Sequence, residues 1–163
     1  MTKRIIALRC LFILLILLNC YVIFLFSSEN GSESTNTSMD TMKRIIRIIE
    51  KDENKVLEKA EKMEPILRKI AHFTIYTSLG IWNMCLMETL FDVKDDNCFK
   101  VKVILAVVFG CLYAISDEFH QVFVSARSGS IRDVFLDTMG VTNGALIVEI
   151  IVKIRLNHEK RLQ

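Results

Sequence analysis

The sequence predicts an all-α fold, an integral membrane four-helix bundle with an additional amphipathic helix in its first extracytoplasmic loop. Composition is the first reason: 52% of the 163 residues are hydrophobic, mean hydropathy is +0.36 and there is a single proline, a balance that suits one small membrane domain better than a soluble one. The second is a set of four apolar segments of spanning length. The third is a dense run of ionisable residues, 113–144, bracketed by two of those segments. Charge at membrane depth is costly and persists where it faces a partner, a cavity or a reaction.

Ile5 to Phe26 is the cleanest span, with Arg9 as its one charge and Asn19 as its strong polar group. At about 1.5 Å per residue it reaches roughly 33 Å, enough for a hydrocarbon core of about 30 Å. Lys3 and Arg4 would also suit a cleaved signal peptide, but the apolar stretch is long and no small-x-small site follows it. Nor does Leu17-Leu18-Asn19 supply the small residue expected beside a lipidated Cys20. The second span, about 70–91, carries His72, Asn83 and Glu88. The third, about 101–119, loses its apolar character at Ser116, and the fourth, about 131–154, holds Asp133, Asp137 and Glu149. Polar residues in such helices normally face the bundle interior.

Between the first two spans, Ser27–Ser38 is rich in Ser, Thr, Asn and Gly and reads as an irregular linker. Residues 40–64 read as an amphipathic helix capped by Asp40 or Thr41. Met42, Ile45, Ile46, Ile49, Val56, Met63, Leu67 and Ile70 recur at three-and-four spacing with charge between them. Pro65 is best tolerated in the first turn of a new helix, which predicts a bend there.

Charge placement predicts orientation. Lys3, Arg4 and Arg9, then Lys94, Lys100 and Lys102, then Lys153, Arg155, Lys160 and Arg161 all fall on one side of a four-span topology, which the positive-inside rule makes cytoplasmic. The protein is therefore expected in the cell membrane, multi-pass, with both termini cytoplasmic. The long segment 27–69 is neutral, with nine basic and nine acidic residues. The net charge of +2 offers no polyanion-binding excess, so nucleic acid is not an expected partner. Cys10, Cys20, Cys85, Cys98 and Cys111 are odd in number, lack a Cys-x-x-Cys pair and read as reduced thiols, with neither a disulfide framework nor a metal site indicated.

With both termini on one side, the end of the first span, the start of the second, the end of the third and the start of the fourth meet at the opposite face. Every polar cluster falls at one of those points. Ser27, Ser28 and Glu29 end the first helix; Lys69 and His72 open the second; Asp117, Glu118, His120 and Gln121 end the third; Arg127, Arg132, Asp133 and Asp137 surround the start of the fourth. Helical spacing puts Lys69, His72, Phe73, Tyr76 and Gly80 on one face, and Asp133, Asp137, Gly140 and Gly144 on another. Gly140-x-x-x-Gly144 permits close helix approach and would bury those carboxylates, with Arg127, Arg132, Lys69 or a protonated His72 as the available cations. One outer polar pocket explains the pattern; ion pairs and caps pinning the bundle rim are the competing explanation. Glu88 and Glu149 read as interfacial residues paired with lysines, and Trp82 as packing.

Four motifs carry a resemblance: Ser27-Ser28-Glu29; Lys69-x-x-His72-Phe73-x-x-Tyr76; Ser116-Asp117-Glu118-x-His120-Gln121-x-Phe123; and Arg127-x-Gly129-Ser130-x-Arg132-Asp133. In this order they resemble the VanZ-like family of small bacterial multi-pass membrane proteins, over nearly the whole chain. The resemblance implies a VanZ-like transmembrane domain at 5–155, places Lys69, His72, Glu118, Gln121, Arg127, Asp133 and Gly140 in the recurrent pattern, and associates the chain with teicoplanin resistance. Two departures are visible. Ser125-Ala126 stands where a proline-glycine pair commonly precedes the loop arginine, and Asp137 stands where an asparagine is expected.

Three functions follow. The first is envelope protection, with the outer pocket engaging a lipid-linked envelope component or the lipid tail of the glycopeptide through Lys69, Gln121, Arg127, Asp117, His120 and Ser28. The second is an intramembrane enzyme in which Glu118 or His72 is general acid or base, Asp133 its partner and Arg127 the anchor of an anionic head group. The third is an ion- or proton-coupled transporter, weakened because the cytoplasmic halves offer only Asn83, Glu88 and Glu149 as polar stepping stones. None requires a cofactor or metal. The expected partner is a membrane lipid or lipid-linked component, and the oligomeric state stays open.

Overall fold

The computed structural model describes residues 3–29, 31–91, 96–124 and 129–162, without the side chains of residue 33 and residues 96–98. All regular structure among them is helical. The order is α1 (Lys3–Ser28), α2 (Gly31–Ile46), α3 (Glu53–Leu90), α4 (Asp96–Gln121) and α5 (Ile131–Arg161). Among the described residues, three helices are long and apolar enough to cross a membrane: α1, α4 over Phe99–Gln121, and α5. The expected second span is the C-terminal half of α3, which is not among these three because His72, Thr74, Thr77, Ser78 and Asn83 dilute its apolar character.

α1 is apolar on every side, as a lipid-immersed helix is. It buries Ile16, Ile23 and Ser27 and leaves Leu14, Leu17, Leu18, Phe24 and Phe26 exposed. Two polar contacts fix it: the Asn19 amide donates to the Ser78 hydroxyl on α3, and Tyr113 on α4 donates to the Cys20 carbonyl at 2.6 Å. α3 and α5 form the central pair, and both also contact α4. Ile16, Ile23, Tyr76, Leu79, Ala114 and Val141 make the core where α1, α3, α4 and α5 meet, with Trp82 packed against it.

The connection from α1 to α3 differs from expectation in three ways. First, residues 31–38 are helical rather than irregular. Their hydroxyls satisfy the helix's own carbonyls, Thr35 to Gly31 at 2.8 Å and Ser38 to Ser34 at 2.9 Å, and Ser38 also donates to Glu64 on α3 at 2.6 Å. Secondly, residues 40–64 are not one helix. The chain turns at 47–52, and Asp52, not Asp40 or Thr41, caps the next helix by accepting from the Asn54 amide at 3.0 Å. The apolar period is therefore shared by two antiparallel helices, whose Met42, Ile46, Val56 and Ala60 form a small core of their own. Thirdly, Pro65 lies inside α3 rather than at a helix start. It removes one backbone bond, to the Glu61 carbonyl, without ending the helix.

At the opposite end of the molecule, Lys102 is buried rather than a loop residue, with its ammonium 2.6 Å from Glu88 and 3.9 Å from Glu149. Lys153 also reaches Glu149, at 3.7 Å. Both carboxylates are thus paired with lysines. Arg9 donates to the Thr89 carbonyl and ties the start of α1 to the end of α3. Cys10, Cys20, Cys85 and Cys111 are free thiols; the side chain of Cys98 and all of Lys94 lie outside the described residues.

Candidate functional site

Close packing of α3 on α5 builds the site. A Cβ on Gly80 would sit 2.1 Å from the Val141 carbonyl oxygen, one on Gly144 2.0 Å from that of Thr77, and one on Gly140 2.7 Å from that of Phe73. The helices touch backbone to backbone, an approach that only glycine allows at these points. One turn further along, the same two faces bring His72 against Asp137, with Nδ1 and Oδ1 3.7 Å apart. Asp137 is fully buried, Tyr76 is buried beneath it, and the Tyr76 ring stacks on His72 with centroids 6.5 Å apart.

α4 contributes the next group. Asp117, Glu118 and Gln121 are buried, and the Gln121 amide donates to Asp117 Oδ2 and Glu118 Oε1, each at 3.2 Å. The other Glu118 oxygen accepts from the Ser130 amide at 2.8 Å. Ser130 stands at the N-cap of α5 without a side-chain cap bond; the Glu118 carboxylate, from a neighbouring helix, satisfies instead the backbone N–H of Ser130 itself, at the positive end of the α5 dipole. Asp133 adds a second carboxylate in the first turn of α5.

Beside these residues lies a cavity of about 340 Å³, lined by Lys69, His72, Glu118, Gln121, Asp133 and Asp137, with Glu64, Pro65, Arg68 and Leu136 completing its lining. Five of the site residues expected from sequence therefore meet on one wall system: Lys69, His72, Glu118, Gln121 and Asp133. Asp117 lies behind them, joined through Gln121. His120 and Ser28 come together elsewhere on the same end, where His120 Nε2 is 3.1 Å from the Ser28 hydroxyl and its ring lies 4.9 Å from that of Phe24. That pair joins α1 to α4 and does not line the cavity. Arg127 falls outside the described residues.

A second cavity, about 320 Å³, adjoins the first between α1, α2 and α3. Its walls are mainly apolar, from Ile23, Phe26, Leu67, Ala71 and Ile75, with Ser and Thr side chains of α2 at the rim. Arg68 and His72 line both cavities. Arg68 is held in place by Glu64 at 3.8 Å and the Thr35 hydroxyl at 3.3 Å. Sequence reasoning passed over Glu64 and Arg68, which flank the bend expected at Pro65: Glu64 closes the segment read as an amphipathic helix and Arg68 precedes the second span. Asp137 was visible, being one turn from Asp133 on the glycine face, but nothing in the sequence marked it as the more deeply buried of the two.

The VanZ/LLP1 family profile matches residues 12–152, most of the chain. The chain belongs to the VanZ/LLP1 family. Comparison with curated proteins and with solved structures returned no match. The matched region of this VanZ/LLP1 protein contains α2, α3 and α4 entire and most of α1 and α5, so it includes every residue of both cavities.

Proposed function

We propose that this VanZ/LLP1 protein crosses the bacterial cell membrane four times, with the second half of α3 as the second span and both termini in the cytoplasm. In this reading the two cavities lie at the outer leaflet and hold an amphiphilic envelope ligand, either a lipid-linked cell-wall component or the lipid tail of a glycopeptide. The observation that carries it is the adjacency of a polar cavity and an apolar one, with the Arg68 guanidinium and the His72 imidazole on the wall of both. A cationic fork at such a junction suits an anionic head group. The apolar side accepts part of a chain, since small-ligand sites combine apolar walls with a few convergent polar groups. The α2–α3 hairpin roofs the apolar cavity.

Glycopeptide tolerance enters through the family resemblance. In a sensitive Gram-positive host, expression is expected to raise tolerance to lipid-tailed teicoplanin more than to vancomycin. Arg68→Ala, which removes the shared cation, and Ala71→Trp, which fills the apolar side, are each expected to cancel the gain while membrane blots show undiminished protein. Unchanged tolerance with well-expressed wild type would remove the resistance reading, and full activity of both variants would remove the cavities from it.

An intramembrane enzyme acting on such a lipid is the second reading, favoured by the His72–Asp137 pair at the cavity wall. Transport is disfavoured, because the polar groups of the other end, Lys102, Glu88 and Glu149, are engaged with one another rather than arranged as a relay.

A further inference from the structure

At the cavity wall lies a group of ligand atoms that hydrogen bonding does not fully account for. Asp137 is fully buried, and neither of its carboxylate oxygens has a hydrogen bond among the described residues; the same holds for the buried Nδ1 of His72. The imidazole and the carboxylate face each other at 3.7 Å, too far for a hydrogen bond. Asp117, 5% exposed, turns into the same space from α4. One ligand atom from each of the three residues lies within 4.8 Å of the others.

A cation accounts for this spacing where a shared proton does not. With bonds of about 2.1 Å to nitrogen and oxygen, donors 3.7 Å apart subtend roughly 120° at a metal, within reach of tetrahedral and trigonal arrangements. Drawing in Asp117 needs a side-chain shift of about an ångström, because donors on such a metal stand about 3–4 Å apart. Gln121 already orients that carboxylate by donating to Oδ2 at 3.2 Å, the kind of support that ligating carboxylates require. A divalent ion would also neutralise two buried carboxylates at one point.

We propose that His72, Asp117 and Asp137 bind one divalent first-row cation of the zinc or manganese class, with its remaining coordination positions open to the polar cavity. The donor set selects the class. One imidazole with two carboxylates is poorer in oxygen than calcium or magnesium sites, and it has no thiolate to select copper(I). Three protein ligands from three helices, with His72 and Asp137 on the cavity wall, match the open arrangement of reactive rather than purely structural metal sites. This inference is independent of the identity of the amphiphile.

Full-length protein without a polyhistidine tag, purified in detergent, stripped with EDTA and dialysed against Zn²⁺ or Mn²⁺, is expected to retain about one equivalent of metal per chain by elemental analysis. The Asp117→Asn/Asp137→Asn protein is expected to retain less than about a tenth of that. A gain-of-signal variant guards against misfolding: in Co²⁺-loaded protein, His72→Cys adds a thiolate-to-cobalt charge-transfer band that only a direct ligand at position 72 produces. Three results would overturn the site: substoichiometric binding of both cations by wild type, binding that survives the double substitution, or cobalt-loaded His72→Cys without the thiolate band.

Discussion

Gly80 and Gly144 set the spacing on which everything at the cavity depends, since each stands where a Cβ would press on the backbone of the opposite helix. Alanine at either position must push α3 and α5 apart, with an expected cost of about 1–3 kcal/mol. Gly110 is the comparison. There the nearest atoms to the added carbon are side-chain atoms of Val141, at 2.5–3.0 Å, rather than backbone, so thermal unfolding in detergent should show a smaller loss for Gly110→Ala than for Gly80→Ala or Gly144→Ala. Equal losses would mean that the backbone contact is not what limits the interface. At this scale the sequence was legible where spacing is local: Gly140-x-x-x-Gly144 and the Asp133–Asp137 face follow from helical periodicity alone. The pairing of Glu88 and Glu149 with lysines was also expected, but not that one buried lysine, Lys102, would face both, because the two carboxylates lie on two other helices and only the folded arrangement joins them. The same reason hid the bond of Glu118 to the N-cap residue of α5, which stands twelve residues later.

The α2–α3 hairpin is the element in which the structure departs furthest from sequence reasoning, and the departure has a local cause. A three-and-four apolar period does not distinguish one long helix from two antiparallel helices whose faces meet, and the deciding signal was Asp52-Glu53, a cap and an acidic first turn within a charged run. Ser and Thr between 31 and 38 read as linker residues, yet their hydroxyls bond back to helical carbonyls and across to Glu64. Exposed ion pairs hold the turn: Arg47 to Glu53 at 2.9 Å and Lys59 to Glu50 at 2.8 Å. The hydrogen bond from Arg47 holds the Glu53 carboxyl below its ordinary range, and the bond from Lys59 does the same for Glu50. A carboxyl depressed in the folded state adds stability above its unfolded value, about 4.3, and loses it as pH falls through the lower folded value. Amide protection at residues 53–60, corrected for intrinsic exchange, should therefore stay level from pH 8 to 5 and weaken only below about 4. Since both pairs are exposed, the change is modest and shrinks in high salt. A loss of protection between pH 7 and 5 would assign the turn's order to other groups.

On the scale of the whole molecule, topology carried the inference that no single motif did: an even alternation of helix ends brings His72, Glu118, Gln121 and Asp133 to one end of the molecule, where they line one cavity. The apolar cavity was not legible, because it needs α2 folded back on α3. Orientation rests on the basic residues at the other end. In cysteine-depleted protein, Ser34→Cys is expected to react with an impermeant thiol reagent added outside the cell, and Asn157→Cys only after permeabilisation; the reverse pattern would turn the cavities toward the cytoplasm. The central claim, that the paired cavities hold the head and chain of an envelope amphiphile, is tested most directly by a photoreactive benzoylphenylalanine in the apolar cavity at Ile75, with Ile150 on the exposed face of α5 as the reference. Crosslinking in intact membranes followed by mass spectrometry should capture at position 75 a lipid species with an anionic head group, enriched over the mixture captured at position 150 and lost with Arg68→Ala. The same lipid mixture at both positions, unchanged by Arg68→Ala, would contradict the account.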